Sequence, residues 1–155
     1  MNDPLAKVLA AEHAAVYAYG VVGAKTAGAL HTKAVAGFDA HRARRDRLRA
    51  LIVRRGGTPP EPGPTYPLPF DVKDQADAVR LASLIEERVV TAYLELAADG
   101  DASLRRLAAQ AMQEGATRAY GWQPAVGAFP GMPAERTSGS PPVKTEPTPV
   151  PAVSP

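Results

Sequence analysis

The strongest constraint on the fold is a proline-rich run near the middle of the chain, TPPEPGPTYPLPF, from Thr58 to Phe70. Six of its thirteen residues are proline. Proline removes a backbone donor and clashes with the preceding helical turn, so the run predicts an extended connection. Because long helical stretches precede and follow it, we expect two helical hairpins joined by one long crossover.

The helices themselves are predicted from apolar spacings of three and four residues and from their end signals. Asp3 can cap the first helix, and Pro4 suits a first helical position. No segment alternates with period two, so the class is all-α. The predicted helices span 4–27, 32–55, 72–98 and 101–121. They belong to a helical bundle domain, 1–133. A tail rich in Pro, Ser and Thr follows, 134–155, and we predict that it is disordered.

The composition excludes several classes of function. The 155 residues include no cysteine, which excludes disulfides, thiolate metal sites and cysteine nucleophiles. The sequence contains no phosphate-binding loop and no dinucleotide fingerprint. No signal-peptide pattern opens the chain, and no stretch reaches the roughly 18 uncharged apolar residues of a membrane helix. We therefore expect a cytoplasmic protein that does not bind membranes.

Basic residues are concentrated in one region, 31–57, where eight Lys or Arg and two Asp give a net charge of +6. The whole chain carries only +2. The arginines of HRARRDRLRALIVRR point around most of their helix, and no nucleic-acid motif accompanies them. We expect internal pairing and a solvated face, and we do not expect nucleic-acid binding.

Each apolar stripe carries charged residues at its middle. The second helix has His41 and Arg45 in its stripe, and the fourth helix has Glu114 and Arg118. The first and third stripes form a weak internal repeat, a Glu followed by Val four residues later and Tyr seven residues later. The two copies are Glu12, Val16 and Tyr19, and Glu86, Val90 and Tyr93. Unpaired, each buried carboxylate would cost several kcal/mol, so metal ions or guanidinium groups must compensate.

Four sequence elements together resemble a ferritin-like family of unknown function, typical of actinobacteria. The resemblance implies a ferritin-like four-helix bundle and no established reaction. The elements are AAEHAAVYAYGVVGA, PTYPLPF, ADAVRLASLIEERVVTAYLEL and GWQPAVGAFPGMP.

Proteins of the wider ferritin-like superfamily bind two iron or manganese ions. The ligands are one Glu on each of two helices and a Glu-x-x-His on each of the other two. Glu12 and Glu86 fit the single-Glu positions. The paired positions do not fit, because the second helix offers Phe38-Asp39-Ala40-His41 or Asp46-Arg47-Leu48-Arg49 and the fourth offers Glu114-Gly115-Ala116-Thr117.

Two functions follow, and the sequence leaves both open. We favour a binding or assembly module without a complete di-metal site or a cofactor, because the histidine ligands are missing. In this binding or assembly module, Glu12 pairs chiefly with Arg45. The alternative is a metalloprotein with iron or manganese and oxygen or peroxide chemistry. The buried network comprises Glu12, Arg45, Glu86, Glu114 and Arg118, and the alternative metal ligands are Glu12, His41, Glu86 and Glu114.

The pattern assigns no catalytic residue, and it leaves open whether the protein is an enzyme. It identifies no protein partner either. Small residues on the first helix, including Gly20 and Gly23, allow close helix approach, and two-fold dimers are the commonest assemblies. We therefore expect a homodimer.

Overall fold

The structure is a computed structural model, and it describes residues 3–124. Its helices are α1 (Pro4–Ala24), α2 (Gly28–Arg54), α3 (Gln75–Ala97) and α4 (Ala102–Trp122), and no strand occurs within residues 3–124. The all-α class is thereby confirmed, and the predicted helix boundaries differ from these by at most four residues. The predicted tail, 134–155, lies outside the described residues.

Aspartates begin three of the four helices. Asp3 accepts a hydrogen bond from the backbone N–H of Leu5 at 3.0 Å, with Pro4 in the first helical position. Asp74 and Asp101 cap α3 and α4 in the same way. At the start of α2, Gly28 has a φ of +57°, a left-handed conformation that favours glycine. The sequence prediction used the Asp3 cap, but it placed the start of α2 four residues after Gly28 and the start of α3 two residues before Asp74.

The crossover runs the whole length of the bundle. The backbone N–H of Ala27 donates to the side chain of Gln75 at 3.2 Å, which places the start of α2 beside the start of α3. These two helices are therefore parallel. Lys7, near the start of α1, pairs with Glu95, near the end of α3, so α1 is antiparallel to α3. α4 follows a tight turn and is antiparallel to α3 as well.

The extended crossover is docked along the bundle. Leu68, Phe70 and Val72 pack against the core, and the rings of Tyr17 and Tyr66 lie 5.7 Å apart. Because these side chains come at alternate positions of an extended segment, one side of the run faces the helices. The proline run is therefore part of the packed domain.

Helix packing is uneven around the bundle. Close backbone contacts join α1 to α2, α1 to α3 and α3 to α4, whereas α2 and α4 make far fewer. Long side chains span the α2–α4 gap instead. They form the pairs Lys33 with the carbonyl of Gly121, Arg44 with Glu114, and Arg55 with Asp101.

By length and composition alone, α1 could cross a membrane. Its 21 residues have a mean hydropathy of 1.2 over the most apolar stretch, and half of that stretch is buried within the bundle. Core helices of soluble proteins and signal sequences share these properties, so the feature is weak evidence for a membrane span.

Candidate functional site

Two carboxylates and an imidazole meet at the centre of the bundle. Glu12, His41 and Glu86 are each 0% exposed. Nδ1 of His41 lies 2.6 Å from Oε2 of Glu12, and its Nε2 lies 3.1 Å from Oε1 of Glu86. A carboxylate can only accept, so both ring nitrogens donate and the ring is an imidazolium.

The electrostatics agree with that protonation state. Burial by itself lowers the pKa of His41, but the hydrogen bonds and charges of Glu12 and Glu86 outweigh it, and the pKa is raised. Burial alone would raise the pKa of Glu86. The His41 and Arg118 contacts outweigh burial there, so the pKa of Glu86 is lowered. Both shifts favour the charged forms of His41 and Glu86, in keeping with the hydrogen-bond geometry.

Two tyrosines complete the cluster in a crossed arrangement. Tyr19 of α1 donates to Oε1 of Glu86 on α3 at 2.5 Å, and Tyr93 of α3 donates to Oε1 of Glu12 on α1 at 2.8 Å. Burial, and then the neighbouring carboxylate, raises the pKa of each phenol. Both phenols therefore remain neutral donors.

Trp122 extends this chain of hydrogen bonds to the end of α4. Its indole Nε1 donates to the hydroxyl oxygen of Tyr19 at 2.9 Å. The hydroxyl of Tyr19 thus accepts from Trp122 and donates to Glu86. The Nζ atom of Lys33 lies over the Trp122 ring, 5.2 Å from its centre.

Arginines border the cluster on the side of α4. Nε of Arg118 donates to Oε1 of Glu86 at 2.7 Å. Arg44 donates to Glu114, and its Nη1 lies 3.8 Å from Oε1 of Glu12. With His41 protonated, the charges balance: the cations are His41, Arg44 and Arg118, and the anions are Glu12, Glu86 and Glu114.

Two residues expected in the buried network lie elsewhere. The side chain of Glu114 is 55% exposed and pairs with arginines at the edge of the bundle. Arg45 does not contact Glu12, and its guanidinium pairs with the adjacent Asp46. Arg44 points toward α4, as its contact with Glu114 shows, whereas Arg45 is turned by roughly 100° around α2 and lies near His13.

The sequence prediction missed Arg44 and Trp122 as members of the cluster, and it included the tyrosines only in the internal repeat. A signal for the tyrosines was present in the repeat. Tyr19 and Tyr93 each follow a glutamate by seven residues, which is two helical turns. In an antiparallel pair of helices, that spacing places each tyrosine beside the glutamate of the other helix.

His13, next to Glu12 in sequence, belongs to a different contact. It is 5% exposed, and its Nε2 donates to the backbone oxygen of Pro60 at 3.3 Å. Burial lowers the pKa of His13, so it is a neutral ring that anchors the crossover.

The cluster leaves little capacity for a metal ion. Both nitrogens of His41 and both oxygens of Glu12 are used in hydrogen bonds. Within residues 3–124, Oε2 of Glu86 is the one buried carboxylate oxygen without a partner. Within residues 3–124, no group of three or more His, Asp or Glu side chains could hold a metal. The arrangement neutralises and fixes its own charges, and its burial seals it from solvent.

Four helices around a sealed, charge-balanced cluster define an all-α bundle protein with an ionic core. The chain belongs to the family described as Domain of unknown function (DUF4439), whose model matches residues 4–134.

A solved structure is similar to this fold. It is described as a conserved hypothetical protein, rv2844, from Mycobacterium tuberculosis, and it matches with a TM-score of 0.75 and 33% sequence identity. The match covers 79% of this chain and 94% of that chain. No curated protein matches the chain.

Proposed function

We propose that this protein is a ferritin-like bundle in which buried cations replace metal ions, and that it acts as a binding or assembly module. The observation that carries the proposal is the imidazole of His41, which lies between Glu12 and Glu86 and bonds to both.

The chain connectivity supports the ferritin-like part of the proposal. One long crossover that leaves α2 and α3 parallel is the arrangement of ferritin-like bundles. Glu12 on α1 and Glu86 on α3 occupy the places of that fold's single glutamates. On α2, Phe38 stands three residues before His41, where a Glu-x-x-His pair would have its carboxylate.

The balance of charge explains why cationic side chains can replace metal ions beside these carboxylates. A di-metal centre would bring several positive charges to these carboxylates, and here His41 and Arg118 supply positive charge at hydrogen-bond distance. Arginine suits this role because its guanidinium is always charged and donates in several directions. Since the carboxylates are already neutralised, we expect the bundle to fold without a metal.

The test is metal content. The purified protein would be incubated with Fe(II) or Mn(II) under anaerobic conditions, desalted and measured by elemental analysis, beside Glu86→Gln and the exposed control Glu95→Gln. We expect substoichiometric metal in all three proteins. A stoichiometric metal that is lost only in Glu86→Gln would refute the proposal.

One observation favours the metalloprotein alternative, in which iron or manganese supports oxygen or peroxide chemistry. Oε2 of Glu86 is buried and makes no hydrogen bond within the described residues. A buried acceptor without a partner is costly, and a cation would satisfy it. The same elemental analysis decides between the two functions.

A further inference from the structure

The gap between α2 and α4 contains a cavity of about 300 Å³ lined by arginines. Arg47 and Arg54 reach it from α2, and Arg106 reaches it from α4. Its apolar walls are leucines, and its remaining lining side chains, Ser103 and Gln110, are uncharged. The leucines are Leu51, Leu104 and Leu107.

These three arginines differ from their neighbours because they lack counterions. Arg47, Arg54 and Arg106 form no ion pair or hydrogen bond within residues 3–124, and no acidic side chain lines the cavity. The other arginines of residues 42–55 each contact a carboxylate, whereas Arg105 of α4 donates to the backbone oxygens of Asp99 and Gly100. The carboxylate pairs are Arg42 with Asp39, Arg44 with Glu114, Arg45 with Asp46, Arg49 with Glu61, and Arg55 with Asp101.

A second cavity of about 310 Å³ adjoins the first and shares Arg47, Leu107 and Gln110 with it. Leu48 and Ala111 give it an apolar surface, and Arg44 and Glu114, the pair described above, also line it. The basic cavity therefore continues along the same gap into a second cavity, which has an apolar patch beside charged side chains.

We propose that this gap binds the phosphate or pyrophosphate group of a small amphipathic molecule. The anionic group lies among Arg47, Arg54 and Arg106, since guanidinium groups bind phosphate oxygens with paired, charge-assisted hydrogen bonds. The apolar part lies in the second cavity. Each cavity is at the lower end of the usual size for a small-molecule pocket, and together they suit one ligand of modest size.

The remainder of this chain is a poor match for that anion. The side chains of residues 125–155 carry two acidic and two basic charges, Glu135, Glu146, Arg136 and Lys144, which balance. Charge complementarity thus favours a separate anionic ligand. Within the described residues, Arg47, Arg54 and Arg106 contact none of Glu12, His41 and Glu86, so the proposal does not depend on whether the His41 cluster binds metal.

The first experiment is calorimetric titration of the full chain with pyrophosphate at low ionic strength. We expect saturable binding of one pyrophosphate per chain, weakened about tenfold or more by Arg47→Gln or Arg106→Gln, because each removes a charge-assisted hydrogen bond. The matched control is Arg88→Gln, an exposed arginine of α3 outside this gap that has no partner within residues 3–124. It should change the affinity by less than about twofold. The thermal midpoints of the unliganded variants establish that they fold.

Two further probes identify the kind of ligand. Octyl phosphate should bind more tightly than inorganic phosphate, since its chain enters the apolar cavity. Vesicles containing phosphatidic acid serve as the lipid-surface probe. Absence of saturable pyrophosphate binding, an equal loss in Arg88→Gln, or binding to vesicles without binding to octyl phosphate would overturn the proposal.

Discussion

The hydroxyl of Tyr19 lies 2.5 Å from Oε1 of Glu86, a residue 67 positions further along the chain on an antiparallel helix. The same relationship, with the helices exchanged, joins Tyr93 to Glu12. Each hairpin therefore supplies one acceptor and one donor, and the donor of each satisfies the acceptor of the other. The hydrogen bonds that stabilise buried Glu12 and Glu86 therefore form only when the two hairpins pack together.

Removing either phenol should destabilise the bundle. Tyr93→Phe leaves Oε1 of buried Glu12 without its closest donor, and we expect a loss of about 1–3 kcal/mol in the free energy of unfolding. Tyr19→Phe should cost at least as much, because Trp122 also loses its acceptor. Urea denaturation measures both. Tyr120→Phe, at an exposed position on α4, is the control and should be nearly neutral. Equal stability of all three variants would contradict the crossed pairing.

The Glu86–Arg118 pair should show strong thermodynamic coupling. Glu86→Gln removes the charge that compensates both Arg118 and His41, so we expect a loss of about 3–5 kcal/mol. Adding Arg118→Met should cost less than the sum of the two single changes. A double-mutant cycle from urea denaturation gives the coupling. Arg45→Met replaces Arg118→Met in the control cycle, and additive effects are expected because Arg45 does not contact the cluster.

Stability should fall on both sides of a mildly acidic optimum. The folded pKa of His41 is raised, so its contribution is complete below about pH 6.5, the unfolded value, and is lost as the pH rises through the folded pKa. The folded pKa of Glu86 is lowered, so its contribution is complete above about pH 4.5 and is lost as the pH falls through the folded pKa.

Thermal midpoints measured across this range test the assignment. His41→Gln should remove the alkaline loss, whereas His31→Gln, at an exposed position, should retain it. If the thermal midpoint of His41→Gln still falls as the pH rises, His41 is not the group whose loss of a proton destabilises the bundle.

Close packing around Tyr19 requires a glycine on α2. A Cβ atom at Gly37 would overlap the ring of Tyr19, which is rigid and fully buried. Gly37→Ala should therefore destabilise the bundle by about 1–3 kcal/mol despite the better helix propensity of alanine. Gly121→Ala, also helical and with open space at its Cβ position, is the matched control and should be neutral or slightly stabilising. Urea denaturation compares the two, and equal effects would contradict the close contact.

The homodimer stays a prediction with a direct test. Gly20 and Gly23 on α1 have open space around their Cβ positions within the chain, so a second copy could pack there. Sedimentation should show a dimer, and the pair of substitutions Gly20→Gln and Gly23→Gln should shift it to monomer without lowering the helical signal. A monomer at every concentration would rule out the dimer.

Local chemistry made the helices predictable. Prolines exclude helix in the crossover, and the side chains of Asp3, Asp74 and Asp101 bond to free N–H groups at helix starts. These effects act within a few residues, so the sequence displays them directly. The stripe containing Glu12 was predictable for the same reason, because helical spacing alone places it between apolar neighbours.

The identity of the paired arginine was not predictable in this way. Arg44 and Arg45 both lie close to the line of buried residues through His41 and Leu48. Which one approaches the cluster depends on the position of α4, a tertiary relationship without a local signal. The exposure of Glu114 has the same origin, since it follows from the wide spacing of α2 and α4.

The crossed pairing has a consequence for synthesis on the ribosome. The amino-terminal hairpin emerges first, with Glu12 and His41 in place but without Tyr93, Glu86 or Arg118. A carboxylate and an imidazole without those partners favour hydration over burial, so we expect the early hairpin to stay loosely closed until α3 and α4 have been translated. The ionic interior thereby delays the final closure of this protein until the entire bundle is available.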